Sequence, residues 1–285
     1  MSELFVEDRK LVSEEKWKQI VDDIKKQQAT IELPDALVNA IKKRIPFEHF
    51  GIFFSGGVDS SFIALICKKQ KANFTCYCIG TEDSDDLREA KIVAEHFGFN
   101  LKTKVLSHEE IEEICKKVIK ITGKKDAVTV GVAAVEYAAC ELARQDNVKI
   151  LFGGLGSEEI FAGYQRHKNS DDVNKECWNG LQNAIWQRDF TRDFAIATHF
   201  RVEFRTPFLD KEVILAAMQI PADQKIHLET NKWILRNIAD GLGLGKYAWR
   251  KKQAAQYGSH IDKSIEKLTK QRGFKFKKEY LESLS

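Results

Sequence analysis

Ser55-Gly56-Gly57-Val58-Asp59-Ser60-Ser61 gathers backbone donors, hydroxyls and a carboxylate into one turn of chain. Gly56 and Gly57 carry no Cβ, so an anion can approach the backbone closely there. Ser55, Ser60 and Ser61 add hydroxyl donors, and a turn that opens a helix offers free N–H groups with a partial positive charge. Asp59 sets a carboxylate among those donors, which suits a Mg²⁺ riding on phosphates. No Gly-Lys-Ser/Thr follows, so the turn is not a Walker loop. A second turn, Gly153-Gly154-Leu155-Gly156-Ser157-Glu158-Glu159, ends in paired carboxylates. They suit a metal, or simply an acidic first helical turn that favours the helix dipole. A third stretch, Arg250-Lys251-Lys252, supplies cations to a site or forms a solvated basic run.

The flanking patterns say which elements must hold these turns. An apolar strand over 51–55 runs into a helix over about 58–70. A strand over 74–79 leads to a helix over 85–97, whose apolar face carries Leu87, Ala90, Val93, Ala94 and Phe97. A strand over 101–106 leads to a helix over 108–121, and a further helix covers about 131–145. A strand over 148–152 then ends at Gly153-Gly154. This alternation predicts an α/β fold, a parallel sheet with helices on both faces. Ligands of such sheets bind beyond the carboxyl ends of the strands. The 55–61 turn, the Ile79-Gly80-Thr81 turn and the 153–159 turn all fall at that edge. Residues 1–46 read as a charged helical segment, and the chain beyond about 158 reads as helical with no convincing strand. The basic end, 263–285, reads as a solvated tail or a last packing segment, with nucleic-acid contact the less favoured alternative.

Composition narrows the classes. The 285 residues are 43% hydrophobic with a net charge of +3, ordinary for a globular protein and too weakly basic to argue for nucleic acid. No apolar run approaches the ~20 residues that span a membrane, and the acidic start lacks a signal-peptide core, so a cytoplasmic location is expected. Cys67, Cys76, Cys78, Cys115, Cys140 and Cys177 contain no Cys-x-x-Cys pair. Cys76 and Cys78 share one face of a strand, and core thiols are the favoured reading.

The first turn resembles the PP-loop of ATP pyrophosphatases, which cut ATP to AMP and pyrophosphate. The block from Leu151 to Tyr164 resembles the Ser-Gly-x-Gly-Ser-Asp-Glu-x-Phe-x-Gly-Tyr block of asparagine synthetase synthetase domains. Glu203-Phe204-Arg205-Thr206-Pro207-Phe208-Leu209-Asp210 and Trp249–Ser259 are similar to that family's later blocks, in family order. The resemblance covers about 48–262, so the expected divisions are 1–46, a synthetase-like domain over 47–262, and 263–285. It implies that Ser55, Gly57, Asp59 and Ser60 hold the pyrophosphate of ATP, with Gly56 and Ser61 in the same loop. It implies that Ile79 and Gly80 border the adenosine, and that Gly154 and Gly156 let backbone pass close to AMP and the second substrate. Asp59 and Glu158 would ligate Mg²⁺, and Lys252 would stabilise charge as pyrophosphate leaves. Arg205 and Asp210 read as structural, with Asp210 a helix cap.

The chain departs from the family pattern at two places. Glu158 stands where the family has Asp, which keeps the carboxylate on a longer arm. Thr122 stands where the family places a Glu used on the second substrate or as a base, with Asp126 retained. No glutaminase domain fits before the first loop, as in the asparagine synthetase domain-containing proteins. The resemblance thus implies a ligase that adenylates a carboxylate, aspartate by default, and transfers ammonia, free or from a separate glutaminase subunit. A homo-oligomer is compatible with the reading. Two rivals remain: a PP-loop enzyme adenylating an RNA base, and an ATP-binding regulatory or scaffold protein without turnover.

Overall fold

The computed structural model describes residues 3–251 and 253–284. The chain opens with a short hairpin, β1 (Val6–Glu7) and β2 (Lys10–Leu11), followed by helices α1 (Glu14–Lys25) and α2 (Leu33–Lys42). Ser13 caps α1 by accepting from the Lys16 N–H, and its buried face presents Trp17, Val21 and Ile24. The alternating region follows as β3 (Phe50–Phe53), α3 (Val58–Lys69), β4 (Phe74–Gly80), α4 (Asp85–Phe97), β5 (Leu101–Val105), α5 (His108–Thr122), α6 (Ala127–Gln145) and β6 (Ile150–Phe152). Punctuation residues set these bounds. Ser84 caps α4 and left-handed Gly98 ends it. Ser107 and Glu110 form a capping box on α5, and left-handed Gly123 ends it. Asp126 caps α6, which starts at Ala127, earlier than the apolar periodicity indicates.

The helical remainder runs α7 (Ser157–Ile160), α8 (Gln165–Lys168), α9 (Val173–Asn179), wide π-type turns over 180–190, and α10 (Thr191–Phe200). The expectation of no strand beyond about 158 is wrong at β7 (Glu203–Arg205), which pairs in parallel with β6. It is too short and too exposed for a two-residue period to show. After β7 come α11 (Lys211–Met218), α12 (Ala222–Lys225), a second hairpin β8 (Ile226–His227) and β9 (Thr230–Asn231), α13 (Trp233–Ala239), α14 (Ala255–Gly258), α15 (Ile261–Gln271) and α16 (Lys277–Glu282).

The main sheet has the order β5-β4-β3-β6-β7, all parallel. Its pleat divides the interior into two apolar layers. Ile52, Cys76, Cys78 and Phe152 face a core shared with α1, α2, α3, α4 and α11. Tyr77, Ile79 and Leu151 face a core shared with α5, α6 and α15. Residues 3–46 therefore pack into the first layer, and the basic end packs on the second through Tyr280 and Leu281. All six cysteines are buried. Among the described residues no helix is long and apolar enough to cross a membrane.

Candidate active site

The first turn leaves β3 after the Phe54 N–H has bonded Tyr77 O at 2.9 Å. Gly56 has φ +67°, and a Cβ there would lie 2.9 Å from the Glu89 carbonyl carbon. The backbone of α4 packs against the turn, so glycine is required on both counts. Gly57 begins α3 without a side-chain cap, which leaves the first-turn N–H groups open to an anion. Ser60 Oγ braces the turn, accepting from the Ser55 N–H at 3.3 Å and donating to Gly57 O at 3.3 Å. Ser61, expected among the phosphate donors, is fully buried, and its hydroxyl has no hydrogen-bond partner among the described residues.

Asp59 occupies the first turn of α3 and Glu158 the first turn of α7. They meet at one cation that sequence reasoning missed. Lys232 Nζ lies 2.8 and 3.1 Å from the two Asp59 carboxylate oxygens, 2.6 Å from Glu158 Oε1 and 2.9 Å from Ser157 Oγ. Burial pulls the Lys232 ammonium down, but the Asp59 and Glu158 charges outweigh it and hold it above its ordinary range. Asp59, which a strand-end position suggests is surface-facing, is only 6% exposed because this lysine closes over it.

Glycines set that convergence. A Cβ on Gly154 would lie 3.0 Å from Asp59 Cβ. A Cβ on Gly163 would lie 1.7 Å from Glu158 Oε2 and 2.6 Å from Lys232 Cε. Gly156 has φ +91°, and its Cβ would strike Leu209 at 2.4 Å. The space beside Gly154, expected to face AMP, holds the Asp59 side chain.

The late basic block forms another wall. Arg250 donates to Ser55 O at 2.6 Å and lies 3.4 Å from Asp86 and 3.5 Å from Glu89. A cleft of about 230 Å³ opens there, lined by Asp85, Asp86, Arg88, Glu89, Arg250 and Gln253 among others. The Thr81 N–H bonds Ser259 O at 3.0 Å, which brings the end of β4, Ile79-Gly80, beside the same block. Ile79 itself is buried in the second core. Lys252 lies outside the described residues.

Glu159 turns away from Glu158 into a buried network. It accepts from Tyr164 Oη at 2.9 Å and from Arg188 at 2.7 Å, and Arg188 also pairs with Asp189. Burial pushes the Glu159 carboxyl up. Thr122 donates to Val118 O at 2.7 Å and accepts from the Lys124 N–H, while Asp126 accepts from the Thr129 N–H. Arg205 pairs with Glu203, and Asp210 caps α11 while pairing with Lys43 and Arg44.

The family model and the curated relatives point to one family. The asparagine synthase family model matches residues 32–199 and 168–275. The chain is 33% identical over 299 residues to "Putative asparagine synthetase (glutamine-hydrolyzing) 1" of Methanocaldococcus jannaschii, over 90% of this chain and 55% of that one. It is 29% identical over 217 residues to glutamine-hydrolysing asparagine synthetase 3 of Arabidopsis thaliana, over 70% of this chain and 37% of that one. The chain spans about half the length, or less, of these curated relatives. The solved NMN synthetase of Francisella tularensis aligns over 93% of this chain and 98% of that one at 16% identity, with a TM-score of 0.34, too low to add to the fold described above. With the family model and the archaeal relative in agreement, the chain belongs to the asparagine synthase family.

Proposed function

We infer that the chain is an ATP-dependent, amide-forming ligase, with aspartate as the default carboxylate. The observation that carries this reading is the convergence of Asp59, Glu158 and Lys232 beside the uncapped N-terminus of α3. A carboxylate oxygen of the substrate would attack the α-phosphorus of ATP, and the bond to the bridging oxygen of pyrophosphate would break. Negative charge then gathers on the departing pyrophosphate. Fixed N–H groups at Gly57–Ser60 and nearby cations stabilise that charge without reorganising. Lys252, assigned by family resemblance, is the proposed cation for this step. Ammonia would next attack the acyl carbon, expelling AMP and losing a proton to solvent.

Asp59 and Glu158 are the residues that would hold Mg²⁺. Both already converge on one cation, the Lys232 ammonium. Among the described residues no group of three or more His, Cys, Asp or Glu could hold a metal alone. Carboxylates plus substrate phosphates are the usual donor set for Mg²⁺, so the residues present fit it. When bound, it neutralises charge on the phosphate oxygens.

Thr122 bears on the acceptor. Its hydroxyl is engaged within its own helix end and cannot take a proton near neutral pH. Aspartate is therefore expected to be a poorer substrate than a carboxylate that needs no base at that position. The test is pyrophosphate release from ATP with Mg²⁺, ammonium, and either aspartate or a panel of other carboxylates, with bulk tRNA as a separate arm. Carboxylate-dependent release with amide formation is expected. Release that requires tRNA, or nucleotide binding without release, would replace this reading with one of its rivals.

A further inference from the structure

Lys232 is held in an uncommon way. Its backbone is left-handed, φ +56°, between the β8–β9 hairpin and α13. Asn231 Nδ2 donates to Gly163 O at 2.7 Å, and Arg236 Nε donates to Asn231 O at 2.9 Å. The backbone is thus anchored on both sides, and the movable part is the aliphatic stem. That stem runs past Gly163, where any Cβ would collide with it. Asp59, Ser157 and Glu158 together match the three N–H donors of the ammonium, and the residue is 4% exposed.

Resting on the adenylation reading above, we propose that Lys232 is the resident counter-cation of the phosphate site, and that it exchanges its carboxylates for phosphate oxygens when a divalent cation and nucleotide enter together. A buried carboxylate, Asp59, and a partly exposed one, Glu158, beside an anion-binding helix end would repel each other and any phosphate. One ammonium cancels that repulsion while the site is empty. A divalent cation alone must compete with the ammonium for the same oxygens and leaves it buried without acceptors. Nucleotide supplies new acceptors close by, because Asp59 lies in the first turn of the helix whose N-terminus faces the phosphates. Lys232 therefore makes divalent-cation binding and nucleotide binding mutually favourable, each strengthening the other by the same factor.

The test uses Mn²⁺ as the probe, titrated by electron paramagnetic resonance at pH 8 into nucleotide-free wild-type protein and Lys232→Met. Removal of a charge competing at contact distance should tighten Mn²⁺ by about tenfold or more in the variant. ATP with Mg²⁺ should bind more weakly, so the two affinities move in opposite directions. A Lys232 that merely supported the fold would loosen both. Equal or weaker Mn²⁺ binding in a folded Lys232→Met protein overturns the proposal. Should that variant not fold, the ¹⁵Nζ resonance of Lys232 in the wild type decides. It is expected to move when Mg²⁺ and a non-hydrolysable ATP analogue are added together, and an unmoved resonance under saturation overturns the proposal. Tighter Mn²⁺ binding without pyrophosphate release by the wild type would sink the adenylation reading and leave this inference standing. Release with unchanged Mn²⁺ affinity would do the reverse.

Discussion

Glu158 and Glu159 are adjacent, equally charged and differently used. Glu158 meets Lys232 Nζ, whereas Glu159 is buried against Tyr164 and Arg188. In the first turn of a helix, neighbouring side chains point about 100° apart, so one aims at Lys232 and the other into the helical layer. Glu158→Gln keeps an acceptor for Lys232 but offers a hard cation only a neutral amide. The Mg²⁺ concentration needed for half-maximal ATP binding should rise by about tenfold or more. A Mg²⁺ titration of ATP binding checks this, and identical Mg²⁺ dependence in both proteins would return Glu158 to the role of a dipole-favouring acid.

At the scale of elements, α1 is tied to the middle of the chain rather than to its sequence neighbours. Trp17 is fully buried, donates from Nε1 to Leu181 O at 2.8 Å and meets the Phe190 ring edge-on at 4.9 Å. The segment before the main sheet is thus part of the main core. Trp17→Ala should lower folding stability by about 3–5 kcal/mol in urea denaturation. A loss below about 1 kcal/mol would mean that α1 adds little to the core. The helices that were legible in advance carry their own stop and start signals, as α4 does with Ser84 and Gly98 and α5 with Ser107, Glu110 and Gly123. Strand β7 carries none. Its three residues are defined by pairing with β6, a long-range event.

Over the whole molecule, stability carries a cost placed in the helical layer. Lys225 is fully buried, and the contact of its ammonium is Met218 Sδ at 3.8 Å. Burial pulls its pKa down from 10.5 to about 8. The unfolded chain therefore holds this proton more tightly than the folded one. The penalty is complete below about pH 8 and disappears as pH rises toward 10.5, so stability should increase across that window by on the order of 3 kcal/mol. Lys225→Met should be more stable than the wild type at pH 7, with the difference shrinking as pH approaches 10. Chemical denaturation of both proteins across that range measures it, and a pH-independent difference would show that Lys225 keeps its ordinary affinity for the proton when folded.

The sequence by itself determined what is local. Gly56 and Gly57 between an apolar strand and a helix dictate a tight turn with uncapped N–H groups, because φ, ψ and open donors follow from a few consecutive residues. The alternation of strand and helix dictates a parallel sheet, and the ordered blocks point to the family. Tertiary structure alone decided which charges meet. Lys232 reaches Asp59 across 173 positions, at the start of a helix whose sequence shows only an amphipathic pattern. For the same reason Asp59 is buried rather than surface-facing, since the group that covers it arrives from a distant hairpin. Side-chain spacing along the chain has no bearing on such a meeting. It depends on how the helical layer packs on the sheet, and on Gly154 and Gly163 leaving space where any other residue would keep the charges apart.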